Sequence, residues 1–366
     1  MAQADKRPFL DPDGVRGALI VGLFATVLAA LQQLHEPGLQ SDLDQILVAA
    51  RALLAGDNPY DAVGPGRSFE WKWPLYYPLP AVLLTAPFAA FPFPVARVLF
   101  SGIGATIFGY AITRKGNYWR LPFCLSAAFL MCLWRTQWSL YLTAAFFVPL
   151  AALFLIAKPN IALAFFAGVR SRRQAVIMVL AGVILTAVAM LARPHWVTDW
   201  ISALMTKEYI SSPISNPGGF LLLLSLLRWR RPEARVFAAL VAVPQTPSLY
   251  DLVPLIVIAR TMREVSVLSL LTSLLFCVVI GMGRAPDYYA FTHRIEMLAV
   301  WIVYIPALVM LLRRPNTSEE PEVARPPRKS VREWIESLPR LDFWLLLLNA
   351  VFAAAYLWGF FTTRRV

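Results

Sequence analysis

Charge is what this sequence has least of. Asp, Glu, Lys and Arg make up 15% of the 366 residues, while 58% are hydrophobic and the mean hydropathy is +0.59. Soluble domains carry roughly a quarter charged residues, so an ordinary soluble protein is excluded. Cysteine is scarce too. Cys124, Cys132 and Cys277 lie within apolar stretches, without metal-ligand spacing or an even-numbered framework. That argues against a disulfide scaffold and makes them small packing residues. The three histidines (His35, His195, His293) are scattered, so no metal is expected. The formal charge of +12 could suggest nucleic acid. Its residues, however, cluster between apolar runs, as cytoplasmic loops of membrane proteins do, and no nucleic-acid partner is expected.

What is present is a series of apolar runs along the whole chain. The expected class is an all-α polytopic membrane protein. The first run, Gly17 to about Leu34, follows a polar segment containing Lys6, Arg7 and Arg16, and no small-residue cleavage site follows it. It is expected to be retained, with its start inside the cytoplasm. Further runs fall near 74–91, 95–113, 121–134, 138–157, 159–169, 174–192, 217–228, 236–259, 265–282, 291–312 and 341–361. Several are shorter than the roughly 20 residues a span needs, and ten to thirteen spans are expected. The division is a cytoplasmic N-terminus (1–15), a membrane domain (16–312) with an extracytoplasmic loop at 35–73, a cytoplasmic linker (313–340) and a final span (341–361). One conflict stands. Arg114, Lys115 and Arg120 look cytoplasmic, yet two crossings before them would put them outside. Either the proline-rich run at 74–91 is re-entrant or the charge rule fails there.

The loop after the first run holds the most unusual stretch. Ser41 is a good N-cap, with Asp44 at the capping-box position. Leu43, Ile46, Leu47, Ala50, Leu53 and Leu54 form one helical stripe, and Gly56 fits the stop. Such a helix is expected in the membrane interface, apolar face down. Trp71, Trp73, Tyr76 and Tyr77 read as an interfacial aromatic belt. Pro244-Gln245-Thr246-Pro247 interrupts another run just before Tyr250 and Asp251, suggesting two short helices meeting at a polar break of the kind that lines substrate sites. Asp251 is there either a second functional carboxylate or a helix cap.

The run Ser-Asp-Leu-Asp-Gln at 41–45, Arg-Ala-Leu-Leu-Ala-Gly-Asp-Asn-Pro-Tyr-Asp at 51–61 and Tyr76-Tyr77-Pro78-Leu79-Pro80 resembles glycosyltransferase family 87. Gln137-Trp138-Ser139, Lys158-Pro159-Asn160 and the break before Tyr250-Asp251 are also similar to it, so the likeness runs over about 15–315. Ile46 replaces a tyrosine often seen in the family, and Pro78-Leu79-Pro80 replaces a pair of prolines. The resemblance implies a glycosyltransferase-C fold and hexose transfer, mannose above all, from a polyprenyl-phosphate sugar to an envelope lipid or glycan. It places the site on the extracytoplasmic side of the plasma membrane and needs no cofactor beyond the donor, a divalent metal being left open. Asp42 matches the family's catalytic aspartate, with Asp44 as second candidate, capping the helix or holding a metal.

Such chemistry needs a carboxylate to take the acceptor's proton and cations or dipoles for the departing phosphate. Lys158, Arg284, His293 and Gln137 are the donor candidates. Tyr76, Tyr77, Tyr250 and Asp251 are candidates for the cavity wall. His195, beside Trp196 and Asp199, reads as structural. Each has a plainer role as well: acids favour helix N-termini and lysines snorkel. The alternative function is a lipid or sugar transporter or flippase. It would call for mid-span charges and paired repeats; the apolar runs contain almost no mid-span charge and no repeat.

Overall fold

The computed structural model describes residues 10–36, 38–207, 211–245, 248–317 and 336–362. The described residues are mostly helical. The described strands are two short parallel ones, Val63–Gly64 and Phe69–Glu70. Six helices are long and apolar enough to cross a membrane: Pro12–His35, Phe93–Gly116, Arg172–Ala192, Met262–Gly281, Tyr288–Leu312 and Arg340–Gly359. The other apolar runs fold as shorter helical pieces. The 138–157 run, for instance, is Ser139–Phe147 followed by a 3-10 segment, Pro149–Ala157, broken where Pro149 supplies no backbone donor.

The first helix and Phe93–Thr113 form an antiparallel pair. At one end the Lys115 N–H donates to Asp11 Oδ2 (2.9 Å) and the Tyr118 hydroxyl to Asp13 Oδ1 (3.1 Å). At the other, Arg97 Nη1 donates to Gln33 Oε1 (2.8 Å). Small residues let the backbones approach. A Cβ on Gly17 would lie 1.8 Å from Thr113 Oγ1, and one on Gly109 2.6 Å from the Gly17 carbonyl oxygen.

This pairing bears on the charge conflict. Arg114 and Lys115 share an end with Asp11, Asp13 and Arg16. The intervening apolar helix, Leu79–Phe88, has ten residues, about 15 Å at 1.5 Å per residue, half of a hydrocarbon core of roughly 30 Å. The chain between the two paired helices leaves and re-enters at the same end of the pair.

Later pieces alternate between the same two ends. Gln32 Nε2 donates to the Trp134 carbonyl (3.1 Å) at the Asp42 end, and Arg114 Nη1 to the Phe147 carbonyl (3.1 Å) at the basic end. At the basic end, too, Arg235 Nε donates to the Ala167 carbonyl (2.7 Å), Arg228 Nη2 to that of Leu312 (2.7 Å) and Arg314 Nη1 to that of Ile258 (2.6 Å). Glu233, fully buried there, ion-pairs with Arg231 (3.0 Å), Arg260 (2.9 Å) and Arg314 (3.7 Å). The last helix docks on Met262–Gly281 through Asn349 Nδ2, which donates to the Ser266 carbonyl (3.1 Å). Its end meets the first helix where the Phe361 and His35 rings stand edge to face at 5.3 Å.

The amphipathic helix forms over Asp42–Leu54. Its stop is a Schellman motif: the Gly56 N–H donates to Leu53 O (3.1 Å) and the Asp57 N–H to Ala52 O (2.8 Å), with Gly56 at φ +88°. Its apolar stripe does not lie on open membrane as expected. Leu43, Ile46, Leu47 and Ala50 are fully buried against Leu79–Thr85, Ala86–Phe88 and Phe93–Thr113. The proline-rich run supplies the apolar surface that lipid would otherwise supply. Of the interrupted run, Pro232–Ala242 and Leu249–Val257 are two short helical pieces on either side of the break. Thr246 and Pro247 lie outside the described residues, as do 318–335 of the 313–340 linker.

Candidate active site

Asp42 is the first residue of the amphipathic helix and Asp44 the third. Side chains two apart on a helix diverge by about 200°, and here they meet different partners. Asp44 is 1% exposed. Its Oδ2 accepts from the Ser41 N–H (2.7 Å) and Arg97 Nη2 (2.6 Å), its Oδ1 from the Ser41 hydroxyl (3.0 Å) and Arg97 Nε (2.8 Å). Both oxygens are occupied, by the helix cap and by a bidentate arginine that also holds Gln33 on the first helix. The arrangement is structural and leaves no lone pair facing a substrate.

Asp42 stays partly open, its side chain 13% exposed. Arg135 donates to its Oδ1 and Gln137 Nε2 to its Oδ2, and the Tyr250 hydroxyl lies 3.4 Å from Oδ2. Arg135 and Gln137 flank Thr136, which has φ +52°. The local cause is the end of the Ala127–Trp134 helix. The Thr136 N–H donates to Leu133 O and the Gln137 N–H to Cys132 O, both at 3.0 Å, another Schellman turn. A β-branched residue occupies the position glycine usually takes, at a steric cost of about 1–2 kcal/mol. The left-handed turn reverses the chain so that both neighbours reach Asp42. Burial works against the Arg135 guanidinium, but Asp42 and Tyr250 outweigh it and raise its proton affinity above the ordinary value.

A second ion pair adjoins the first. Gln137 Oε1 accepts from Lys158 Nζ (3.0 Å), which orients the Gln137 amide with its NH2 toward Asp42. Lys158 lies 3.7 Å from Asp251 Oδ1 and 5.2 Å from the Tyr250 ring centroid. Asp251 also caps its own 3-10 segment, its Oδ2 accepting from the Ser248 N–H (3.1 Å). Burial raises its carboxyl to about 6, with Lys158 opposing. Gln137, Lys158, Tyr250 and Asp251 therefore join Asp42 in one polar chain running from Arg135 to Asp251. Tyr76 stands at its margin, its carbonyl accepting from Trp200 Nε1 (3.0 Å) and its hydroxyl 3.5 Å from Thr206 Oγ1. The Tyr77 carbonyl accepts from the Tyr60 hydroxyl (3.3 Å).

Arg284 and His293 are exposed, and no hydrogen bond or ion pair among the described residues joins either to this group. His195 is exposed at the start of Trp196–Met205, while Arg193 pairs with Asp199 at 3.1 Å. The sequence reading did not single out Arg135. Its signal was available, as a lone cation where two apolar runs meet. Arg97 lay within an apolar run, and its pairing with Asp44 spans 53 residues, which no local pattern conveys. Among the described residues no cluster of three His, Cys, Asp or Glu could hold a metal. No protein-family model, curated protein or solved structure matches the chain, so what it does is argued from these residues and their geometry.

Proposed function

We propose that the chain is an integral-membrane glycosyltransferase that moves a hexose from a polyprenyl-phosphate sugar to a lipid or glycan acceptor, with Asp42 as general base. The observation that carries this is the contrast between the two aspartates. Asp44 is sealed into the fold, whereas Asp42 is aimed by Arg135 and Gln137 yet partly open, beside Lys158 and Asp251. In the reaction Asp42 takes the proton of the acceptor hydroxyl. The oxygen attacks the anomeric carbon, and the bond from that carbon to the phosphate oxygen breaks with its electron pair leaving on the phosphate. Because phosphate is a good leaving group, no covalent enzyme intermediate is needed. Lys158 supplies positive charge for the departing oxygen. The concentration of arginines at the opposite end of the bundle supports an extracytoplasmic site, by the bias of basic residues toward the cytoplasm.

The test is transfer by purified protein from a polyprenyl-phosphate hexose to a panel of glycolipid acceptors. Asp42→Asn is expected to lower transfer by about 10²–10⁴-fold, the usual range for a general base, with thermal stability close to wild type. Asp44→Asn is expected to lose stability first. If wild type binds the donor, moves no sugar and carries the lipid between leaflets, the protein is a flippase.

A further inference from the structure

Trp196–Met205 is a second amphipathic helix, at the Asp42 end of the bundle. It follows the span Arg172–Ala192 after three non-helical residues, Arg193 to His195. At about 100° per residue, Trp196, Trp200, Leu204, Val197, Ile201 and Met205 follow one another around half of the helix surface. Thr198, Ser202 and Asp199 lie on the other half, where Asp199 pairs with Arg193 (3.1 Å). Protein covers only the first part of the apolar arc. Trp196 is buried, and Trp200 donates its Nε1–H to the Tyr76 carbonyl (3.0 Å). Ile201 and Met205, on the far part, are 49% and 82% exposed. What meets them is set by the span before them. That span is hardly buried in the protein, and its Val183, Ile184 and Leu191 are exposed, so it faces lipid along most of its length. Its 21 residues rise about 30 Å, the thickness of a hydrocarbon core. Ala192 therefore stands at the edge of the acyl chains, with Arg193 and His195 among the headgroups. The carbonyl and hydroxyl of Tyr76, at 3.0 Å from Trp200 Nε1 and 3.5 Å from Thr206 Oγ1, tie the following helix to the same end.

We infer that Ile201 and Met205, with the half-buried Leu204 beside them, form a lipid-binding face that seats this helix in the headgroup–acyl boundary of the leaflet on the Asp42 side. The occupant is phospholipid, because the face continues the lipid-facing surface of the preceding span. The opposite edge of the helix is bonded to Tyr76, so the seat holds the margin of the Asp42 group at headgroup depth. The role expected of Asp42–Leu54, an apolar face laid on the membrane, falls to this helix instead. The seat is independent of the reaction proposed above.

The experiment reads the depth of single bimane labels on the full-length protein in phosphatidylethanolamine–phosphatidylglycerol vesicles. Cys277 is exposed while Cys124 and Cys132 are buried, so Cys277→Ser gives a background in which Ile201→Cys, Met205→Cys and Ser202→Cys are labelled one at a time. Quenching is measured with phospholipid brominated on its acyl chains, and with iodide present on both sides of the membrane. Labels at 201 and 205 are expected to lose most of their emission to brominated lipid and little to iodide, and the label at 202 the reverse. Iodide quenching at all three positions without loss to brominated lipid overturns the seat. Equal lipid quenching at all three also overturns it, since the helix would then be immersed with no surface face. Shielding of 201 and 205 from both quenchers, relieved by dilution into excess lipid, assigns the face to a second copy of the chain and overturns the lipid assignment. A wild type that moves no sugar but gives the expected quenching pattern removes the transferase reading and leaves the seat standing.

Discussion

Removing the Arg97 guanidinium should destabilise the fold around the site without touching its chemistry. Asp44 and Arg97 are 1% and 5% exposed and joined by two charge-assisted bonds of 2.8 and 2.6 Å. In Arg97→Met the carboxylate keeps only the two Ser41 donors, and one partner of a buried pair lost in this way costs about 3–5 kcal/mol. With an unfolding entropy of roughly 2.1 cal/mol/K per residue, the 366-residue chain converts this to a fall of about 4–7 °C in Tm. The double variant Asp44→Leu/Arg97→Met removes both charges, and hydrophobic replacement of a buried pair is often near neutral. It should regain most of the loss. The assay is tryptophan fluorescence during heating in detergent, for wild type, each single variant and the double. Single variants within about 1 °C of wild type, or a double variant lower than both singles, would refute the argument that this pair is a buried structural clamp.

The helix seam gives a steric test. Gly17→Val places atoms where Thr113 already sits, and overpacking of that kind costs about 1–3 kcal/mol. It should be read as a lower Tm that Thr113→Ala partly restores. A third prediction concerns acid. Burial alone would raise the Glu233 carboxyl, but Arg260 and Arg231 outweigh it and hold it below its ordinary value of 4.5. A depressed folded-state pKa contributes stability above the unfolded value and loses it as pH falls through the folded one. Glu233→Gln should therefore cost about 3 kcal/mol at neutral pH, and the gap in Tm between it and wild type should narrow as pH drops below 4.5. A gap that is constant from pH 7 to 3 would contradict this.

The sequence carried local signals faithfully and partners poorly. Ser41, Asp44 and Gly56 announce the start and stop of the helix because caps are satisfied within a few residues, and all three act as expected. The stripe of Leu43, Ile46 and Leu47 shows that one face is covered but not by what. Periodicity cannot distinguish lipid from the short Leu79–Phe88 helix. Arg114 and Lys115 were legible as an inconsistency, and the short helix that bears on it was flagged by its prolines alone. Arg135 reaches the site from a turn, where no period exists to mark it. Arg284 and His293, chosen for their charge and expected loop position, lie on exposed surface, and His293 falls within the helix Tyr288–Ala299.

The Asp44–Arg97 bond also sets an order of events during synthesis. The carboxylate leaves the ribosome 53 residues ahead of its guanidinium. Until then the amphipathic helix has neither its counter-ion nor the glycine-lined neighbour that covers it. A nascent chain ending before residue 97 has the Leu79–Phe88 cover for Leu43, Ile46 and Leu47 but no counter-ion for Asp44. Arrival of Phe93–Thr113 beside the first helix closes the seam and neutralises the charge in one step. Arg135 and Gln137, which hold Asp42, follow later still in the chain.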